Sequence, residues 1–503
     1  MTTYGAAATR ERKGWFFGFT GAQLAIVILA AIPAWMAMAL GQWATLVLLI
    51  PVWVVVVTLT TIPVRGWSAA QWIGVAVRHG WGSVSGWTRW QSKAAAGEIE
   101  DPSEADLPGV LSGIAIHDGP PMGATMTRVA LIQNHSTRTW AATARIEHPG
   151  LGLASDDERL RMGAGLAELC ESATQGDLIS LLSICVRTVP DDGAERADWV
   201  RRNTRADAPE LAVKINRVLD RDLMPAAVRR EAFVTVVVSE DKISKDARRC
   251  GGGIKGRARL LYGLLGEVES RLRGAIECSD VTWLDTAELA AAIRTGFEPG
   301  DAAALAGAEI AHRSNDAIQT GVPVAAAGPT NAATALRSYR HGEWDSIATT
   351  ILIPDQGALL GALAPVLVPT QAGERRSLTV FFRPVSRRTA NKVTGRDEVS
   401  AAMGKEMRRK AGMVDRAAQR RAEAHVRDND EKLARGRSLV RVSSALAVTV
   451  PAGWGAQDYG RRLDASVRLC GFTPLPLDGA HDAAFAAAAI PLGTGLPKSQ
   501  SRK

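Results

Sequence analysis

The chain of 503 residues has five cysteines, Cys170, Cys185, Cys250, Cys278 and Cys470. They are odd in number, widely spaced and form no CxxC pair. That excludes a disulfide scaffold and fits reduced thiols, used most simply as small buried apolar side chains. The eight histidines include no HxxxH and no His/Cys cluster, so no metal site is legible. There is no GxSxG, and no Cys/His arrangement can be read from residue order. The nearest approach to a phosphate loop, Gly251-Gly252-Gly253-Ile254-Lys255-Gly256, lacks the four-residue gap and the hydroxyl after Lys. It reads as a flexible entry to a helix. No catalytic, cofactor-binding or metal-binding residue can be named, and the expectation is a non-enzymatic chain without a cofactor.

Charge is missing too, and in one place only. From Gly14 to Val64 there is no Lys, Arg, Asp, Glu or His. A helix needs about 20 apolar residues to cross the hydrocarbon core, so this run suits two spans better than one. Gly41-Gln42-Trp43 is its only polar interruption near the middle, which predicts a hairpin with spans at about Thr20–Leu40 and Trp43–Thr61. Pro33 and Pro51 lie inside these spans, where membrane helices tolerate them. Arg10, Arg12 and Lys13 precede the first span, Arg65 and Arg78 follow the second, and the turn carries no cation. The positive-inside rule then puts both termini in the cytoplasm and the hairpin in the plasma (inner) membrane. A cleaved signal peptide, with Ala37-Met38-Ala39 as its site, would have a shorter apolar core and no second span. A buried soluble hairpin would show a polar stripe.

Nine of the fourteen tryptophans precede residue 91. Trp15, Trp67, Trp72, Trp81, Trp87 and Trp90, interleaved with Arg65, Arg78 and Arg89, form a candidate membrane interface, indoles at the headgroups and cations toward phosphate. The alternative is an ordinary amphipathic helix packed on the soluble part. Residues 66–122 are this juxtamembrane segment and a Pro/Gly-rich linker with one short strand at 109–117. Residues 123–294 alternate strands and helices, with Ala232–Val238 the clearest buried strand and helices at 156–175 and 256–278. Residues 295–343 are poor in large apolar side chains and read as a connecting segment. Residues 344–497 repeat the α+β pattern, with strands at 346–354, 377–384 and 438–450 and helices at 356–363 and 457–470. The expected fold class is therefore α+β: residues 1–65 a tail and membrane hairpin, the rest ferredoxin-like mixed units.

The net charge of +8 suits a chain beside an anionic leaflet or nucleic acid. Between Lys405 and Arg437 eleven Lys or Arg face six Asp or Glu. Lys405, Arg408, Arg409, Lys410, Arg416, Arg420 and Arg421 form a candidate basic face toward lipid or nucleic acid; the alternative is a long solvated helix. Mixed charge and missing aromatics argue against a single-strand channel.

The later half runs Tyr339-Arg340-His341 … Trp344, then TTILIP, SLTVFFRPVS, the basic stretch and finally DAAFAAAAIPLG. With the two apolar spans in front, this resembles an actinobacterial family of integral membrane proteins of conjugative, type IV secretion-like systems. The hairpin resembles the small PrgI-type inner-membrane subunit. The remainder is similar to the N-terminal, non-catalytic domain of the conjugation ATPase, whose Phe-rich segment closing in "LPG" leads into the motor. Phe485 … Ile490-Pro491-Leu492-Gly493 looks like its counterpart, although Ile490-Pro491-Leu492-Gly493 departs from the family's usual form. The resemblance implies a membrane anchor and platform, with membrane lipid, a separate ATPase, other envelope subunits and further copies of itself as partners. A type VII secretion membrane component and a membrane-tethered nucleic-acid binder are the rival readings.

Overall fold

A strand as uniformly apolar as Ala232–Val238 needs cover on both faces, and the fold supplies it from two layers of helices. The computed structural model describes residues 21–61, 63–64, 67–99, 101–123, 126–150, 154–190, 194–223, 228–313, 315–352, 358, 360–371, 373–386, 389–390, 431 and 438–496. The first elements are α1 (Gly21–Ala39), α2 (Trp43–Thr61), the small hairpin β1 (Pro63–Val64) and β2 (Trp67–Ser68), α3 (Ala69–Val84), β3 (Arg89–Gln91) and the single turn α4 (Lys93–Ala96). Then come β4 (Ile114–Met122), β5 (Thr127–Asn134), β6 (Thr139–Glu147), α5 (Asp156–Gln175), β7 (Ile179–Pro190), α6 (Ala194–Asn203), α7 (Glu210–Leu223) and β8 (Val228–Ser239). α8 (Glu240–Arg249), α9 (Gly253–Ala275), β9 (Asp280–Trp283), α10 (Thr286–Phe297), α11 (Asp301–His312), β10 (Asn331–Thr334), β11 (Tyr339–His341) and β12 (Trp344–Leu352) follow. The last are β13 (Arg375–Pro384), β14 (Val440–Pro451), α12 (Ala456–Leu469), β15 (Thr473–Pro476) and α13 (His481–Ala489).

Helix starts follow local chemistry. Ser155 and Glu158 form a capping box on α5, and Asp285 and Glu288 form one on α10, each satisfying orphan amides of the first turn. Gly251, Gly252 and Gly253 all sit at positive φ and turn α8 sharply into α9. A Cβ on Gly256 would fall 2.2 Å from the Ala247 carbonyl oxygen, so that glycine lets the two helices touch. The GGGIKG string is a helix–helix turn.

The sheet is antiparallel and mixed with helices throughout. Its thirteen described strands run β3-β10-β11-β12-β14-β13-β7-β8-β6-β5-β4, with β15 also on β12 and β9 also on β6. β7 and β13 join at the centre, Leu182 opposite Phe382 and Arg187 opposite Ser377. On either side of that seam the order repeats: β9-β6-β8-β7 on one, β15-β12-β14-β13 on the other. One sheet thus continues through residues 294 and 343, and the stretch 295–343 contributes β10, β11 and α11. The expected linker contributes β4, and its first residues, Gly109–Leu111, make a 3-10 turn instead of strand. No α-helix forms among the described residues of 356–363. Gly361 at φ +86 and Pro365 favour turns, and a 3-10 turn follows at Ala364–Leu367. The strand expected to reach Pro354 is described to Leu352.

Alternation then sorts the core. Val234, Val236 and Val238 of β8 face α5 and α9, while Phe233 and Val237 face α10 and α13. In the second half Leu446, Val448 and Val450 of β14 pack on α12. The face under α13 is lined by small residues: Ala348, Thr379, Ala445, Ala447, Cys185 and Ala141. The helix itself is HDAAFAAAA, and every residue of it but Asp482 is buried. Small side chains on both surfaces let helix and sheet approach closely. α13 crosses the strands of both halves: its His481 Nδ1 accepts from the Ala348 amide of β12 at 3.1 Å. Farther along, Thr379 Oγ1 of β13 donates to the Ala488 carbonyl at 2.9 Å, and Thr143 Oγ1 of β6 donates to Pro491 O at 2.7 Å. Gly493 closes the segment at φ +70, where a Cβ would meet Val237 Cγ2 at 2.5 Å.

Gly493→Ala should therefore lower stability by about 2 kcal/mol or more, from left-handed strain plus overpacking. Gly453→Ala is the control, since Gly453 has φ +92 and open space around it. It should cost about 1–2 kcal/mol from strain alone. Thermal melts of both variants in detergent test this; equal costs would mean that the contact with β8 is immaterial.

Candidate functional site

The most unusual surface of the molecule is α1, α2 and α3. Packed against each other, α1 and α2 leave Leu29, Trp35, Met36, Val47, Leu48 and Val55 exposed, on all sides of the hairpin. Their polar groups are meanwhile satisfied inside the hairpin. Trp53 Nε1 donates to the Val27 carbonyl at 3.2 Å, and the Thr58 and Thr60 hydroxyls donate to the carbonyls of Val54 and Val56, each at 2.8 Å. An apolar exterior whose few polar groups bond to carbonyls of the hairpin itself is the arrangement that a hydrocarbon solvent demands. Among the described residues one helix is long and apolar enough to cross a membrane, with Trp43–Thr60 its core; the apolar stretch of α1, Ala25–Ala39, is shorter.

α3 continues from α2 and is amphipathic. Ile73 (54% exposed), Val77 (66%), Trp81 (76%) and Val84 (89%) lie within about 80° of one another on a helical wheel. Another side of the helix packs inward, with Val75 on Gly479 and Gly82 under the Trp87 indole. The expected interface residues therefore divide. Trp81, Trp87 and Arg89 are exposed, whereas Trp72 and Trp90 are half-buried and Trp90 packs on the main core. Trp67 falls in β2 and Arg78 in α3. Trp15, Arg65 and the basic face of Lys405, Arg408, Arg409, Lys410, Arg416, Arg420 and Arg421 lie outside the described residues. Counting Trp and Arg missed Ile73, Val77 and Val84, which a search at spacings of four, four and three would have found.

Inside the body, charge is used to hold helices to the sheet. The α10 C-terminus presents carbonyls that two buried arginines cap: Arg187 Nη1 donates to Ala292 O at 2.8 Å, and Arg375 Nη2 donates to Pro299 O at 2.9 Å. Arg187 is also paired with Glu231 at 2.8 Å, and the guanidinium holds that carboxyl below its usual range despite burial. Arg375 lies over the Trp344 ring, 5.7 Å from its centroid; burial and the neighbouring Arg187 push its pKa down to about 9. His341, wholly buried and stacked on Phe485, is bonded to Phe297 O at 2.7 Å and Ser346 Oγ at 2.8 Å. Burial pushes it down to about 3, so it is neutral. Glu298, tucked against Gly342, is raised to about 7, chiefly by burial.

One open cleft of about 380 Å³ is lined by His135, Arg138, Trp140, Glu240, Gly253 and Arg257. The Glu240 carboxylate there is occupied by Trp140 Nε1 and Arg257, and Arg138 pairs with Asp241 at 3.0 Å. The thiols of Cys170 and Cys278 are raised by burial to about 12 and about 11, which keeps them protonated. Among the described residues no three His, Cys, Asp or Glu side chains are grouped to hold a metal ion. No family model matches the chain, and no curated protein matches it.

The two perturbed groups predict a pH profile. Glu298 binds a proton in the folded state between pH 4.5 and about 7 that the unfolded chain lacks, so its contribution falls as pH rises. His341 does the opposite between about 3 and 6.5, so its contribution is lost as pH falls. The slopes cancel from about pH 4.5 to 6.5. Glu298→Gln should turn that plateau into a rise of up to about 3 kcal/mol over those two pH units. Melting curves against pH test it; an unchanged plateau would remove Glu298 from the account.

Proposed function

We propose that this chain is a membrane anchor and docking platform of a conjugative, type IV secretion-like transfer machine, and that a separate conjugation-type ATPase supplies the energy. The observation that carries the reading is the union of an apolar helical hairpin, exposed on all sides, with a large body whose buried charges hold helices to the sheet. Exposing half of a Leu or Val side chain to water costs on the order of 1 kcal/mol, and many such residues on α1 and α2 add up to a surface that water does not tolerate.

In this reading both helices cross the inner membrane, with both ends of the hairpin in the cytoplasm, where the cations Arg10, Arg12, Lys13 and Arg65 flank it. α3 lies along the headgroups on its Ile73–Val84 stripe. Each half of the sheet is a ferredoxin-like unit; the repeated strand order with helical crossovers supports this. The segment from Phe485 to Gly493 corresponds to the one that precedes the motor in the conjugation ATPase, and here it packs across the sheet of the docking body. Other envelope subunits and further copies of the chain are its remaining neighbours.

Purification from detergent-solubilised membranes through a tag after Lys503 should recover the ATPase and envelope subunits, identified by mass spectrometry. Recovery of type VII components would replace the reading with that rival, and a chain found in the soluble fraction would end it.

A further inference from the structure

The excursion between β7 and β8 carries an apolar surface that no other described element covers. In α7 the residues Leu211 (69% exposed), Ile215 (50%) and Val218 (41%) stand at spacings of four and three, one stripe of a strongly amphipathic helix. None of the other described elements packs substantially against α7. Its link to α6, Arg196 Nη2 to Asn216 Oδ1 at 3.4 Å, lies away from the stripe. Lys214 is exposed beside the stripe and Arg217 farther round the same flank, with Glu210 between them on the helical wheel, and neither cation has a carboxylate within 4 Å among the described residues. Their neighbours differ: Arg201 and Arg202 share Asp198, and Arg205 pairs with Asp207.

We infer that α7 is a docking helix whose Leu211–Ile215–Val218 stripe enters an apolar groove with an acidic rim on a partner protein. Anchors at i, i+4 and i+7 are the spacing by which a helix lies in such a groove, and the unpaired Lys214 and Arg217 supply the complementary charge. Position in the fold favours protein over lipid. Pro190 and Val228, where the excursion leaves the sheet, pair with each other at the end that also holds Arg375 and Trp344. α3 instead packs on Gly479, which bonds to Leu336 in the turn directed toward the other end of these strands. The inference uses neither the membrane hairpin nor the secretion reading, so ATPase recovery and α7 docking fail or succeed separately.

The test uses the full chain in lipid nanodiscs and fluorescent Ca²⁺-loaded calmodulin, a probe with an acidic-rimmed apolar groove. Expected are saturable binding, abolished by EGTA, and a loss of about tenfold or more with Ile215→Glu and with Arg217→Glu. Ile73→Glu on α3 should leave binding unchanged. Because α7 bears no core load, unchanged melting curves should show that the variants fold. Absence of binding, or binding indifferent to Ile215→Glu, overturns the proposal. So does protection of residues 210–223 from hydrogen exchange by anionic nanodiscs alone, which would mean a lipid contact. A dimer dissolved by Ile215→Glu would mean that a second copy is the occupant and would overturn it as well.

Discussion

Everything in the body depends on one contact, the close passage of α13 across the sheet. An alanine helix lies low enough on Ala, Thr and Cys side chains for strand hydroxyls to reach the Ala488 carbonyl near its end and the Pro491 carbonyl just past it. Because it lies on β12, β14 and β13 on one side of the central seam and on β7 on the other, and the residues after it, Pro491 and Gly493, reach β6 and β8, this segment binds two similar halves into one object. A larger residue anywhere along its underside would lift it from strands of both halves at once. The single large side chain it retains, Phe485, fills the space between Phe297, Tyr339 and His341.

The helix end beside it explains the buried charge. α10 comes to rest against α13, with Gly296 under Ile490, and its last carbonyls point into protein instead of water. Arginine is suited to that position, since its fork of donors serves several carbonyls while its charge opposes the helix dipole. Arg187 and Arg375 do this from neighbouring strands, and the cost of burying them is offset by Glu231, by the carbonyls and by the Trp344 ring. The perturbed acidities of the core thus follow from closing a helix end inside a sheet sandwich.

At the N-terminal end the usual order is reversed. The hairpin bonds its polar groups within itself and displays its apolar ones, and α3 turns Val75 inward while displaying the Ile73–Val84 stripe. The body to which they are joined keeps its large apolar side chains inside. Its surface excursions are where contacts with other molecules are cheapest to build, because changing them leaves the sheet intact.

Local pattern was enough for much of this. The charge-free run gave α1 and α2, short β-branched and apolar runs gave the strands around Ala232–Val238 and Ser377–Pro384, and 3.6-residue periodicity gave α5, α9 and α12, because each of these signals is carried by residues near one another in the chain. Arg187, Arg375 and His341 could not be recognised as one cluster, since Arg187 and Arg375 are brought together by strand pairing between segments almost two hundred residues apart. Nor could the alanine run at 483–489 be recognised as the centre of the molecule, because small residues mark close approach without saying to what. The helix expected at Gln356–Leu363 failed among the described residues for a local reason, a glycine and a proline whose effect the apolar neighbours masked. The longest helices, the main strands and the apolar hairpin were thus determined by the sequence alone. The order of the sheet, the seat of α13 and which faces of α3 and α7 stay uncovered were decided by tertiary packing, because burial is a property of two surfaces and the sequence spells out only one at a time.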